Sequence, residues 1–201
     1  MGAKDTLTTR DKTLAIATKL FAERGFHGVS LAQVAQELGL TKQAVLHHFS
    51  SKEKLYGEVL TVIAKELEGV ISTALNSAAT PEAQLEQVFE ALHLSSDGAR
   101  LRTKLLVREL MDVGNRKSDV KTWHLRHFLD QLTTMGRSLD AWADKSDTEV
   151  FAALYQLIGA VSYFAISEAT LTGMYGRNET RAIKGAFTEE LRLLIRAQTH
   201  H

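Results

Sequence analysis

A single proline, Pro81, stands in 201 residues, and nothing else in the sequence limits the possible folds so sharply. Proline interrupts helices and punctuates turn-rich β architectures. With one proline, and with apolar residues recurring at helical rather than alternating spacing nearly everywhere, the chain is expected to be all-α. Helix starts are legible too, because a Ser or Thr N-cap followed three residues later by Gln or Glu can close a reciprocal capping box. Ser30 with Gln33 opens a short helix ending before Gly39. Ser50 with Glu53 opens a long one to about Asn76, and Ser146 with Glu149 another to about Thr172. Thr80 followed by Pro81 at the first helical position starts a helix through about His93, since proline loses nothing where the amide is an orphan. Further helices fit residues 9–24, 41–48, 98–113, 120–144 and 179–197, making nine. They divide into a small domain over 1–55 and a larger one over 56–201.

Composition excludes more than it assigns. No cysteine is present, so there is no disulfide framework, thiolate metal site or cysteine nucleophile. The segment MGAKDTLTTRDKT lacks the apolar core of a signal peptide, and no stretch is expected to reach the length of uncharged apolar chain that a membrane span needs. A cytoplasmic protein with no membrane partner is expected. Lys and Arg balance Asp and Glu at 24 each, but residues 1–54 carry eight bases against five acids. The excess of positive charge is modest and lies where a nucleic-acid foot would need it.

The segment from Ser30 to Phe49 reads as two short helices joined by a tight turn. Ala35 is small where the helices must cross closely. Gly39 falls where the chain leaves the first helix in a left-handed conformation, and Val45 faces back toward that helix. Thr41 caps the second helix, whose first turn is thereby held outward. Such a helix can enter a major groove. The same three positions also suit a plain helical hairpin.

The surrounding pattern narrows the choice. The chain resembles the TetR family across its first fifty residues: Ala15-Ile-Ala-Thr-Lys-Leu20-Phe21-Ala-Glu-Arg-Gly25-Phe26, then Gly28-Val29-Ser30 and the turn, then His48-Phe49-Ser50-Ser51-Lys52-Glu53-Lys54-Leu55. It departs at Gln43, where many members have glycine, and at Leu46, where most have a phosphate-contacting tyrosine. The resemblance implies a three-helix DNA-binding domain, a C-terminal ligand and dimer domain, and usually repression of transcription. Resemblance and geometry together make Lys42 and Gln43 candidates for reading bases, Gln suiting adenine and Lys guanine. Thr41, His47, His48, Lys54 and Arg10, with Ser30 and the amides near Ser51, are the candidates for the phosphate side of the interface.

Beyond residue 55 the resemblance fades. Thr148 to Leu171 is apolar on nearly all sides, with Glu149 and Glu168 its only charges, and a helix apolar all round is buried all round. A second copy of the chain is therefore expected to cover part of it, with Gly159, Ala160, Ser162 and Ala165 permitting close approach. The resemblance implies that this helix and the last one, carrying Phe187, Leu191 and Leu194, pair with their copies. An effector pocket is expected among the middle helices. Its candidate liners are Phe89, His93, Leu106 and Leu110, then Trp123, His127 and Phe128, then Tyr155 and Tyr163, each of which also suits plain core. Arg108 could offer an anionic ligand its guanidinium or pair with Asp112 one turn on. His124 and His127 share a helix face, but with no evident third ligand no metal is expected. No cofactor is implied. Neither a nucleophile with its base, a glycine-rich phosphate loop nor a paired-acid constellation is discernible, so an enzyme is not expected.

Overall fold

The computed structural model describes residues 8–93, 97–112 and 124–199. Among these, nine α-helices and no strand are found: α1 (Thr9–Arg24), α2 (Leu31–Glu37), α3 (Lys42–Phe49), α4 (Lys52–Ser77), α5 (Pro81–His93), α6 (Asp97–Asp112), α7 (Arg126–Arg137), α8 (Asp147–Tyr175) and α9 (Arg177–Thr199). The caps act largely as the sequence predicts. Ser30 Oγ accepts from the Gln33 amide at 3.2 Å while Gln33 Oε1 accepts from the Ser30 amide at 2.7 Å. Ser146 and Glu149 form the equivalent box, and Thr80 Oγ1 accepts from the Ala83 amide. One cap shifts by a residue. Ser51, not Ser50, starts α4, its Oγ accepting from the Lys54 amide at 3.1 Å, while Ser50 sits at φ 29°, away from the extended backbone an N-cap adopts.

The chain forms two compact units. The first comprises the described residues up to Ile63 together with α6 from Leu101 onward. Its core is Leu14, Ala17, Leu20 and Phe21 of α1, Val34 and Ala35 of α2, Val45 and Phe49 of α3, the start of α4, and Leu105. Tyr56 stands edge-on to Phe21 and Phe26, and its hydroxyl donates to Glu109 Oε2 at 2.6 Å.

The second unit comprises Ala64–Arg100 and the described residues from His124 on. Here α5, α7, α8 and α9 pack around Phe89, Leu132, Met135, Trp142, Leu154 and Ile195. A Cβ on Gly136 would lie 2.7 Å from Val150 Cγ1, so α7 approaches α8 at a distance only glycine allows. The single helix expected over 120–144 is broken, since α7 ends at Arg137 and residues 120–123 lie outside the described range. A 3-10 turn, Asp140–Trp142, follows instead. It buries the Trp142 ring and lets its Nε1–H donate to Gln198 O at 2.7 Å. That distant anchor outweighs continued helix.

The expectation that α8 is buried all round also needs correcting. Val150, Leu154, Leu157, Val161 and Phe164 face the unit's core, while Phe151, Tyr155, Tyr163, Ile166 and Met174 are exposed. No charge falls between Glu149 and Glu168, and by length and composition α8 is long and apolar enough to cross a membrane. The sequence expectation that no stretch reaches this length is thus overturned.

His93, on α5, is buried against the rings of Phe164 and Phe187, with Nε2 at 3.4 Å from Lys184 O. Burial holds its pKa below the ordinary imidazole value. The unfolded chain therefore takes up the proton first, and His93 subtracts stability as pH falls below about 6.5 until its folded pKa is passed. His93→Leu is expected to flatten the acid side of the stability profile, whose slope from one such group is at most about 1.4 kcal/mol per pH unit. Urea unfolding of both proteins across that range checks this, and parallel profiles would contradict it.

Candidate nucleic-acid interface

The interface is built from the turn outward. α2 ends in a Schellman arrangement: the Leu40 amide donates to Ala35 O at 2.9 Å and the Gly39 amide to Gln36 O at 3.1 Å, with Gly39 at φ +66°. This reversal satisfies the last α2 carbonyls and sends the chain into α3 within two residues. Thr41, extended at ψ 153°, caps α3 through its Oγ1, which accepts from the Ala44 amide at 3.2 Å. Val45 and Phe49 are buried toward the core and Leu46 is half-buried. That anchoring face leaves Thr41, Lys42, Gln43, His47 and His48 exposed. The ammonium of Lys42 and the amide of Gln43 thus stand at the start of the helix, while the two imidazoles, 5.6 Å apart by centroid, stand at its end.

The neighbouring positive charges divide into two kinds. Lys54 is exposed. Lys52 instead lays its ammonium 4.3 Å from the Phe26 ring centroid, and partial burial lowers its pKa. Arg10 is ion-paired with Glu58 and lies over the Phe49 ring. At the N-terminus of α4, Ser51 already serves the Lys54 amide, and Glu53 holds its carboxylate on its own amide and on Ser51, which lowers its pKa. Part of the anion-binding capacity expected of that helix end is therefore taken up within the chain. Ser30 is exposed, its hydroxyl engaged in the α2 cap.

The residues expected to line a pocket do not share one environment. Phe89, His93 and Phe128 are buried in the second unit, Leu106 is half-buried, His127 is exposed, and Trp123 lies outside the described residues. Leu110 is exposed at the end of α6. Arg108 belongs to the first unit, where its guanidinium donates at 3.4 Å to Glu23 O, a carbonyl in the last turn of α1. The side chain of Asp112, its other suggested partner, is outside the described residues. Tyr155 and Tyr163, 45% and 71% exposed among the described residues, stand on the outer face of α8.

On that face Gly159 is exposed, with nothing within 4 Å of a would-be Cβ, while Ala160 and Ser162 are half-buried. Leu191 is only 4% exposed and Phe187 packs against the subunit's own core, while Leu194 and its neighbour Leu193 are the exposed large apolar side chains among the described residues of α9. Sequence reasoning missed Phe151, Ile166 and Leu193. The spacing of Phe151, Tyr155, Gly159 and Tyr163 by four was the available signal.

Residues 14–59 match the model of bacterial regulatory proteins of the tetR family. The HTH-type transcriptional repressor KstR2 of Rhodococcus jostii is 34% identical over 90 residues, which span 43% of this chain and 44% of that protein. The HTH-type transcriptional activator FasR of Mycolicibacterium smegmatis is 28% identical over 99 residues, 46% of this chain and 44% of its own length. The alignments thus span less than half the length of these curated relatives. The solved structure of the ketosteroid transcriptional regulator KstR2 of Mycobacterium tuberculosis superposes with a TM-score of 0.68 over 99% of both chains, at 16% identity.

Proposed function

We propose that the chain is a TetR-family regulator, a sequence-specific DNA-binding repressor of transcription that leaves its operator when a small molecule binds, a reading supported by the match of residues 14–59 to the tetR family model and by the partial likeness to KstR2. DNA binding is assigned to residues 1–55, and effector binding and dimerisation to 56–201. The observation that carries this reading is the first turn of α3, capped by Thr41 and buried behind by Val45 and Phe49, with Lys42 and Gln43 exposed. Lys42 and Gln43 read bases in the major groove, while Thr41, His47, His48 and Lys54 meet phosphates. A cytoplasmic location follows from that role. Both a repressor and an activator stand among the relatives. Repression is favoured because a dimer that occupies its operator needs no further partner to block a promoter, and a reporter fused to the selected operator tests the sign.

The outer face of α8, with Leu193 and Leu194 of α9, supports a homodimer. An apolar stripe of this kind on a regulator is an interaction surface in search of a partner, and a two-fold contact between copies also matches two half-sites one helical turn apart. The effector is an unidentified small molecule.

Lys42→Ala and Gln43→Ala are each expected to relax preference at one or two base pairs of the operator, by about 1 to 3 kcal/mol where a good bidentate contact is lost. Both side chains are exposed, so melting should hardly move. Selection of duplexes from a random pool by wild type and each variant reads this directly. Identical consensus sequences from all three would show that these residues do not read bases.

A further inference from the structure

We propose that Arg10 is a positioning residue that fixes the roll of the recognition helix, rather than a contact to DNA phosphate. The proposal rests on the reading of α3 as the recognition helix. Three helices meet on this one guanidinium. Arg10 lies in the first turn of α1, pairs with Glu58 of α4, and sits 5.4 Å from the centroid of the Phe49 ring. Phe49 is the last residue of α3 and 1% exposed. The carboxylate next to Arg10 in sequence is otherwise engaged, since Asp11 Oδ2 accepts from the Thr8 amide at 3.1 Å and from the Thr8 hydroxyl at 2.6 Å. That cap fixes the start of α1 and leaves Arg10 to reach across to Glu58.

α3 has only eight residues, and its two ends are held differently. Its N-terminus is fixed by the Schellman turn and the Thr41 cap. Its C-terminal turn is fixed by Phe49, wedged behind the helix with Arg10 against the ring. A guanidinium suits this position because its planar face can lie on an aromatic ring while its edge hydrogen-bonds a carboxylate, whereas an ammonium has no flat face to lay on the ring. The roll of a recognition helix matters for function: with an outer radius of roughly 5 Å, a roll of about 20° moves a side-chain tip by about 2 Å. A hydrogen bond to a base edge does not survive that displacement. With its charge matched by Glu58, Arg10 also offers little net charge to a phosphate.

The two roles predict opposite signs for one substitution. Glu58→Gln removes a negative charge from the DNA-binding unit and frees Arg10. If Arg10 were a phosphate contact, operator binding would tighten or stay unchanged. If Arg10 is a positioning residue, binding weakens. The probe is the duplex that the wild-type protein selects from a random pool, with a scrambled duplex as reference. Affinities are measured at several salt concentrations for wild type, Glu58→Gln, Arg10→Ala and Arg10→Lys, alongside the melting of each.

The expected result is that all three variants lose about tenfold on the selected duplex, the worth of one base contact. The scrambled duplex and the salt slope should stay as in wild type, and Arg10→Lys should fail to rescue. A merely structural lesion would not single out the selected sequence. Tighter binding by Glu58→Gln, or rescue by Arg10→Lys with a salt slope reduced by about one in Arg10→Ala, would overturn the positioning role and restore the phosphate contact. A wild-type protein that enriches no duplex would overturn the DNA-binding reading, and the positioning role with it.

Discussion

Gly39→Val is expected to abolish specific operator binding while leaving the second unit folded. Among the described residues, a Cβ built on Gly39 meets nothing within 4 Å beyond its chain neighbours, so space is not the difficulty. The backbone is, because φ is +66°. The left-handed conformation costs an L-residue roughly 1–2 kcal/mol, and a β-branched side chain more. Valine relieves that cost by taking φ negative, which breaks the bonds from Gly39 to Gln36 and from Leu40 to Ala35. Those two bonds aim the chain into α3, and the cap of α3 follows only two residues later. The recognition helix would then leave α2 in a different direction, carrying Lys42 and Gln43 with it. A graded series separates conformation from bulk. Asparagine tolerates the left-handed region, so Gly39→Asn should bind nearly as wild type, Gly39→Ala less well, and Gly39→Val not detectably at concentrations that saturate wild type. Affinity for the selected duplex, measured with the melting of each variant, decides the matter. A valine variant with near-native affinity would mean that the turn does not set the DNA-reading surface.

Gly39 was legible in the sequence for the same reason that it is fragile, since its role is fixed by residues within five positions of it. So were Ser30, Thr41, Thr80 and Ser146, whose caps close within three residues. Residues whose partners are far along the chain were not legible. Arg108 looked one turn ahead to Asp112, while its guanidinium reaches Glu23, 85 residues away. Arg10 looked like a free cation near DNA, and its partner Glu58 lies 48 residues on. The helical pattern after α7 continued on paper to residue 144, and Trp142 ended it by docking on α9. In α8 a different obstacle arises. A helix that is apolar on both its inner and its outer face gives a nearly flat periodicity, so Tyr155 and Tyr163 could be assigned to a pocket as readily as to a surface. In α9 likewise, Leu191 and Leu194 differ by one turn and yet one is core and the other exposed.

A charge on the outer face of α8 should dissociate the proposed dimer without harming the subunit, and Gly159→Glu is the substitution that separates the two. Gly159 stands between Tyr155 and Tyr163 on the exposed stripe, and among the described residues a Cβ placed on it would meet nothing within 4 Å beyond its own helix backbone. Ala160 is a poorer choice because it is half-buried within the subunit, where a carboxylate would disturb the chain's own packing. In an isolated subunit, replacing a mid-helix glycine removes a penalty of about 0.5–1 kcal/mol, so the monomer should be no less stable than wild type. In a dimer whose two α8 helices meet at this face, the same substitution buries a carboxylate near its symmetry mate, at several kcal/mol for each one. The effects have opposite signs, and the balance is read as a change of assembly rather than a loss of fold. Sedimentation should show a monomer with native helix content, and operator affinity should fall to that of a single half-site although every DNA-facing residue is intact. Gly159→Ala serves as control and should remain dimeric unless the helices cross closely at this point. A Gly159→Glu protein that sediments as a stable dimer and holds its operator as tightly as wild type would move the subunit contact off the outer face of α8.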